Sequence, residues 1–268
     1  MPPDLRTYLK LVRAGFARQA NYRLAMLAGL VTNVVFGFIR AAILFAAVES
    51  AGGSLAGYTT GTISSYVWLS QGLLGAIELS GRAEIGDRVR TGDVAIDFTR
   101  PVDLQTWHLA EDMGRAAYTL IPRGLPSVLI GALTLGLVLP DTLLPYLLGT
   151  VSIVVGVAIS FYGRYAVNIL GFWLMDTRGA RTLYMVTSGF LAGLYVPVAL
   201  FPGWLHTVAY CTPFPSILQT PINVISGQVV GAESALAVAM QLGWLVAVCL
   251  LGRWLTSAGR RKLVLNGG

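Results

Sequence analysis

Twelve charged side chains crowd into residues 82–115 of a chain that has only 19 Lys and Arg and 13 Asp and Glu in total. They are Arg82, Glu84, Asp87, Arg88, Arg90, Asp93, Asp97, Arg100, Asp103, Glu111, Asp112 and Arg115, a slightly acidic mixture in a protein of net charge +6. Mixed signs suit polar contacts with a protein partner, since an anionic lipid surface would favour unopposed Lys and Arg. Three further charges, Arg40, Glu78 and Arg123, stand inside apolar runs. A charge near the centre of a spanning helix costs about 2.5 to 3.5 kcal/mol on insertion scales, so each is a candidate for a translocation path. Glu78 and Arg123 are placed to pair or to snorkel towards one membrane face.

Catalytic chemistry is hard to find. Lys10 and Lys262, the only lysines, are each followed by Leu, which excludes a GxxxxGK[ST] phosphate cradle. There is no GxSxG elbow, no HExxH and no paired acidic motif that would hold magnesium. Cys211 and Cys249 lack a CxxC or His spacing and read as packing residues, and His108 and His206 as solvated or interfacial ones.

The elements that must carry these charges are membrane helices. Hydrophobic residues make up 55% of the chain, charged ones 12%, and the mean hydropathy is +0.67, far from a soluble domain. The expected fold is an all-α polytopic membrane protein, one domain over 1–268 with six spans near 24–48, 61–80, 116–138, 143–170, 183–201 and 233–254. Residues 1–23 form an amphipathic interfacial helix, with Leu5, Leu9, Val12 and Phe16 on one face and Arg6, Lys10 and Arg13 on another; a soluble cap helix is the alternative.

Within the charged loop, 81–115, Thr91-Gly92-Asp93 is a turn signal and Arg100-Pro101 ends a segment, which predicts two short helices with an irregular link. Pro122 and Pro126 should kink the third span. Pro202, Pro213, Pro215 and Pro221 break residues 202–231, an apolar stretch without Lys or Arg. It is too broken to span and too apolar for a solvated loop, so it reads as short re-entrant helices at the outer face, with Trp204, Tyr210 and Phe214 as candidate gate residues. Four segments placed inside hold every Lys and Arg except Arg40 and Arg123, so both termini are expected in the cytoplasm.

The order of these features resembles the type-2 ATP-binding-cassette permease family. The run RVRTGDVAIDFTRPVDLQTW is similar to the loop of a bacterial exporter subfamily, and LAGLYVPVALFPGWLHTVAYCTPFPSILQTPINVISG resembles the family's outer segment. The resemblance covers essentially the whole chain. It implies an exporter in a bacterial plasma membrane built from two permeases, similar or identical, and a cytoplasmic ATPase dimer that binds the ATP and Mg. No cofactor in this chain and no nucleic-acid partner are implied. Coupling to the ATPase then falls to Arg82, Glu84, Asp87, Arg88, Arg90, Asp93, Asp97 and Arg100, and the outer gate to about 203–227. Apolar walls lean towards amphipathic or hydrophobic substrates, such as drugs or toxic organic molecules, over sugars or metal ions. A secondary transporter and a membrane-embedded protein without transport activity are the alternatives from other classes.

Overall fold

The computed structural model describes residues 5–79, 84–174 and 176–266. Among these the chain is helical, with no strand beyond one isolated bridge between Leu55 and Tyr58. Four helical stretches are long and apolar enough to cross a membrane: Arg23–Ser50, Leu104–Thr134, Leu144–Phe172 and Ala232–Lys262.

Helix α1 (Leu5–Ala20) lies along α6 (Leu104–Thr119). Gly15 and Gly114 make this possible, because a Cβ on either would collide with the carbonyl of Glu111 or Val12 on the other helix. Leu5 and Leu9 remain exposed, whereas Val12 and Phe16 of the same stripe are half-buried, with the Phe16 ring 5.1 Å from that of Tyr118 on α6. Helix α2 (Arg23–Ser50) buries Asn33, Gly37, Ala41, Leu44 and Val48, a spacing of three and four that defines one face. Its other faces expose Leu27, Val31, Phe36, Ile39 and Ile43.

Helix α3 (Thr60–Leu73) is the centre of the bundle. Every residue from Ile63 to Leu73 is buried. Its Trp68 ring lies 2.9 Å from where a Cβ on Gly37 would be and fills the hollow left by Gly131 on the other side. At 14 residues, α3 is only about 21 Å long.

The third long stretch begins at Leu104, well before the expected 116, because Asp103 Oδ1 caps it by accepting from the Thr106 N–H at 2.9 Å. Pro122 lacks an N–H and crowds the preceding turn, and there the ladder widens into a π turn, Leu120–Gly124, before α7 (Leu125–Thr134) resumes with Pro126 in its first turn. Helix α8 (Leu144–Ile169) runs on through a 3-10 turn, Leu170–Phe172, and packs against α12 (Ala232–Asn266). Between them come α9 (Arg178–Leu191), α10 (Gly203–Tyr210) and α11 (Gln219–Ile225). The broken stretch thus holds two short helices. Cys211, expected as a packing residue, is exposed beyond the end of α10.

Candidate functional site

The charged loop folds into a hairpin of two short helices, α4 (Glu84–Thr91) and α5 (Val94–Asp97). Gly92 makes the turn between them at φ +85, where a side chain would be strained. Arg88 grips Asp97 with a fork, Nε at 2.6 Å from Oδ2 and Nη2 at 2.8 Å from Oδ1. The buried Asp97 carboxylate holds the Arg88 guanidinium charged, above its ordinary range. Arg100 adds a second cation 3.7 Å from Asp97 and stacks over the Trp107 ring at 4.1 Å. Arg88, Asp97 and Arg100 therefore brace the hairpin internally. Asp87, Arg90, Asp93 and Ile96 are exposed, and Glu84, also exposed, lies 3.8 Å from Arg18 of α1. Arg82 lies outside the described residues.

The hairpin is seated on the C-terminal end of α8. The Gly86 N–H donates to Asn168 Oδ1 at 3.1 Å, and a Cβ on Gly86 would stand 2.8 Å from that same oxygen. Ile85 and Val89 are buried, with Val89 against Gly171. Asn168 in turn donates to the Arg164 carbonyl at 2.8 Å. Arg164 opens a buried ion cluster: its Nη2 is 2.8 Å from Asp112 Oδ2, and Asp112 Oδ1 takes Arg115 Nε at 2.7 Å. Arg115 also donates to the carbonyls of Gly75 and Ala76, at 2.9 and 2.8 Å, beyond the end of α3. Glu78 Oε2 lies 3.5 Å from Arg115 and 3.9 Å from Arg164. One carboxylate, Asp112, thus ties α6 to α8, and its partner Arg115 ties both to α3.

Glu78 is therefore engaged by Arg115 and Arg164, whereas the sequence suggested Arg123 as its partner. Arg123, in the π turn, instead donates from Nη2 to Asn33 Oδ1 of α2 at 2.6 Å. Asn33 is fixed by its own donation to the Gln71 carbonyl at 2.8 Å. Arg40 donates to Ser70 Oγ at 2.8 Å, while its Nε and Nη2 are buried without a partner. Glu78, Arg115 and Arg123 line one wall of a cavity of about 350 Å³; Met26, Leu74, Leu79, Met185, Leu194 and Tyr195 supply its apolar surface.

At the other end of the bundle, Gln219 is fully buried and holds the broken segment. Its Oε1 accepts from Tyr66 and from the Val198 N–H, each at 2.9 Å, and its Nε2 donates to Asn223 at 2.7 Å. The Gly193 carbonyl is a second acceptor beside the Tyr66 hydroxyl, which shares its single hydrogen between the two. Trp204 is 70% exposed and Tyr210 exposed, while Phe214 is half-buried against Tyr184, ring centroids 5.9 Å apart.

A family profile described as ABC-2 family transporter protein matches residues 31–267, nearly the whole chain. The chain belongs to the ABC-2 transporter family. No curated protein matches it in sequence. As an ABC-2 permease it is a membrane protein and a transport subunit, and its long apolar helices agree with that location.

In this ABC-2 permease, Asp112, Arg115 and Arg164 are the residues that sequence reasoning missed as a site. Asp112 and Arg115 were grouped with the loop, and Arg164 was counted with the inner charges although it lies within α8. Two signals were available. Asp112, Arg115, Thr119 and Arg123 follow at intervals of three, four and four, one face of a helix, and Arg164 is a third cation inside an apolar run.

Proposed function

We propose that this permease is the membrane-spanning part of an ATP-driven exporter that moves an amphipathic or hydrophobic compound out of a bacterial cell. A separate cytoplasmic ATPase dimer, which binds ATP and Mg, docks on the α4–α5 hairpin, and a second permease, similar or identical, completes the path. Six passes place both termini inside. Helices α3 and α9 make two of them although each has 14 residues. Residues 74–79 extend the first and 192–200 the second, and irregular backbone is tolerated at membrane depth where protein covers it. Helices α10 and α11 then lie at the outer face as a gate, with Trp204 and Tyr210 at the lipid interface.

The observation that carries this reading is the unbroken polar chain from hairpin to cavity. It runs from the Gly86 N–H through Asn168, Arg164 and Asp112 to Arg115, which lines the cavity wall. A loop that only connected two spans would not need its helix seated so closely. Force applied to α4 would reach the three helices that Asp112 and Arg115 join. The sequence has no phosphate cradle, so in an ATP-driven transporter the nucleotide would be held by another chain.

The test is copurification and ATP hydrolysis with the separately encoded ATPase. Reversing both exposed charges, Arg90→Glu with Asp93→Lys, is expected to weaken assembly or uncouple hydrolysis from transport while the helices still insert. Transport by the purified permease without any ATPase, or unchanged assembly and coupling in the double reversal, would move a secondary transporter ahead.

A further inference from the structure

Arg123 is seated with unusual care for a residue that merely holds helices together. Its guanidinium lies in a slot whose walls are glycines, and a Cβ on Gly29 would stand 3.0 Å from its Cζ, one on Gly75 3.2 Å from its Cδ. The π turn presents it, and such turns are frequent at functional sites. Only Nη2 has a protein partner, Asn33, and Nε is buried with none. Among the described residues no carboxylate lies within ion-pair distance of Arg123. A buried guanidinium donor without an acceptor is costly, and the acceptor that suits its planar fork is a carboxylate, sulfonate or phosphate.

The electrostatic surroundings favour the same class. Glu78 also acts on Arg123 through space, but Glu78 and Asp112 lie within ion-pair distance of Arg115 and Arg164 and leave the free donors of Arg123 unmet. Arg123 adds positive charge to a cavity whose lining is part polar, with Gln19 and Thr119, and part apolar. On α2, seven residues beyond Asn33 and so about 10 Å along the helix, Arg40 repeats the pattern with one donation to Ser70 and two unpartnered donors. Its electrostatic neighbours include Tyr195, which also lines the cavity.

We propose that the cavity binds a single-chain amphipathic acid, the acidic group on Arg123 and the apolar part against Met26, Leu74 and Leu194, and that Arg40 is the next station outward. This inference rests on the transport reading and narrows its substrate class to anionic amphiphiles. A cavity of about 350 Å³ suits a small organic acid.

The experiment uses the full chain in phosphatidylcholine nanodiscs with three fluorescent probes. They share one dansyl-alkyl tail and end in a carboxylate, a neutral amide or a trimethylammonium group. The carboxylate probe is expected to bind at least about tenfold more tightly than the other two. Arg123→Gln should remove that preference, and Arg123→Lys should keep part of it. Gly189→Leu enters the same cavity from α9, where a Cβ would meet Tyr195 no closer than 3.5 Å. It should weaken all three probes while leaving the arginine seat intact, so a misfolded Arg123 variant does not decide the matter. Equal binding of the three probes, preference for the cation, or unchanged selectivity in Arg123→Gln would overturn the proposal. Displacement of the carboxylate probe by a small fraction of phosphatidylglycerol would also overturn it, by making a membrane lipid the occupant. The assay contains no ATPase. Lost selectivity with ATP-driven transport intact would sink only this site, whereas selective binding without ATP-driven transport would sink only the exporter reading.

Discussion

The two ends of the bundle solve the same packing problem with different chemistry. At the end that carries the α4–α5 hairpin, Asp112 joins helices through ions, with Arg115 and Arg164 at 2.7 and 2.8 Å. At the other end, Gln219 joins α11 to Tyr66 and Val198 through neutral hydrogen bonds and steadies Asn223 on its own helix. Gln241 does likewise, donating to the carbonyls of Ser152 and Ser216 at 2.9 and 2.7 Å. Neutral donors and acceptors can exchange partners one at a time at modest cost, whereas a buried charge cannot be left alone. The difference makes the ionic end the stiffer of the two and the neutral end the easier to rearrange.

That contrast can be broken most severely at Asp112. Asp112→Ala leaves two buried guanidinium groups without their shared carboxylate, and loss of one partner from a buried ion set costs about 3 to 5 kcal/mol. We expect poor yield from membranes and a much lower midpoint of thermal unfolding in detergent. Recovery of wild-type stability in this variant would show that the cluster does not hold the helices.

Gln219→Leu should cost less, about 1 to 3 kcal/mol, because it strands neutral groups such as the Val198 N–H. Amide hydrogen exchange near 193–199 should rise more than exchange in α6. The reverse ordering would argue against separate locks at the two ends.

Gly86→Val sharpens the comparison at intermediate scale. Its side chain would press on Asn168 and Thr177 and lift α4 from α8. ATPase stimulation by substrate should fall several-fold while Gln219-dependent exchange is unchanged.

Arg88→Ala should have a smaller effect on stability, below about 1 kcal/mol, because the Arg88 side chain is over one-third exposed and solvent screens the pair. Limited proteolysis across 91–99 is the sensitive readout, with faster cleavage expected. Smallest of all is Trp204→Ala, an exposed position where the unfolding midpoint should move little, within the effect of about 0.5 kcal/mol typical of surface changes.

Much of this was legible beforehand, and for identifiable reasons. The Thr91-Gly92-Asp93 turn was visible because only glycine adopts the left-handed backbone there without strain. The breaks across 202–231 were visible because proline cannot donate to a helix ladder. The start of the third stretch was misplaced near 116 because charge density was read as loop, whereas Asp103 caps a helix whose charges face inward. Arg123 stood out as a charge in an apolar run, but its hydrogen-bond partner did not, since Asn33 is ninety residues away in sequence.

Sequence alone determined the apolar long helices, the charged hairpin, the proline-broken segment over 202–231 and the missing phosphate cradle. Each is a property of a short window, where hydropathy sums along the chain and proline or glycine acts on its own turn. Only the tertiary structure decided that Asp112 takes Arg115 and Arg164, that Glu78 is shared between them, and that Arg123 sits between Gly29 and Gly75 beside a part-apolar cavity. A charge inside a membrane bundle must find a partner, but which one depends on which helices are neighbours, and that is set by small-residue contacts between helices distant in sequence.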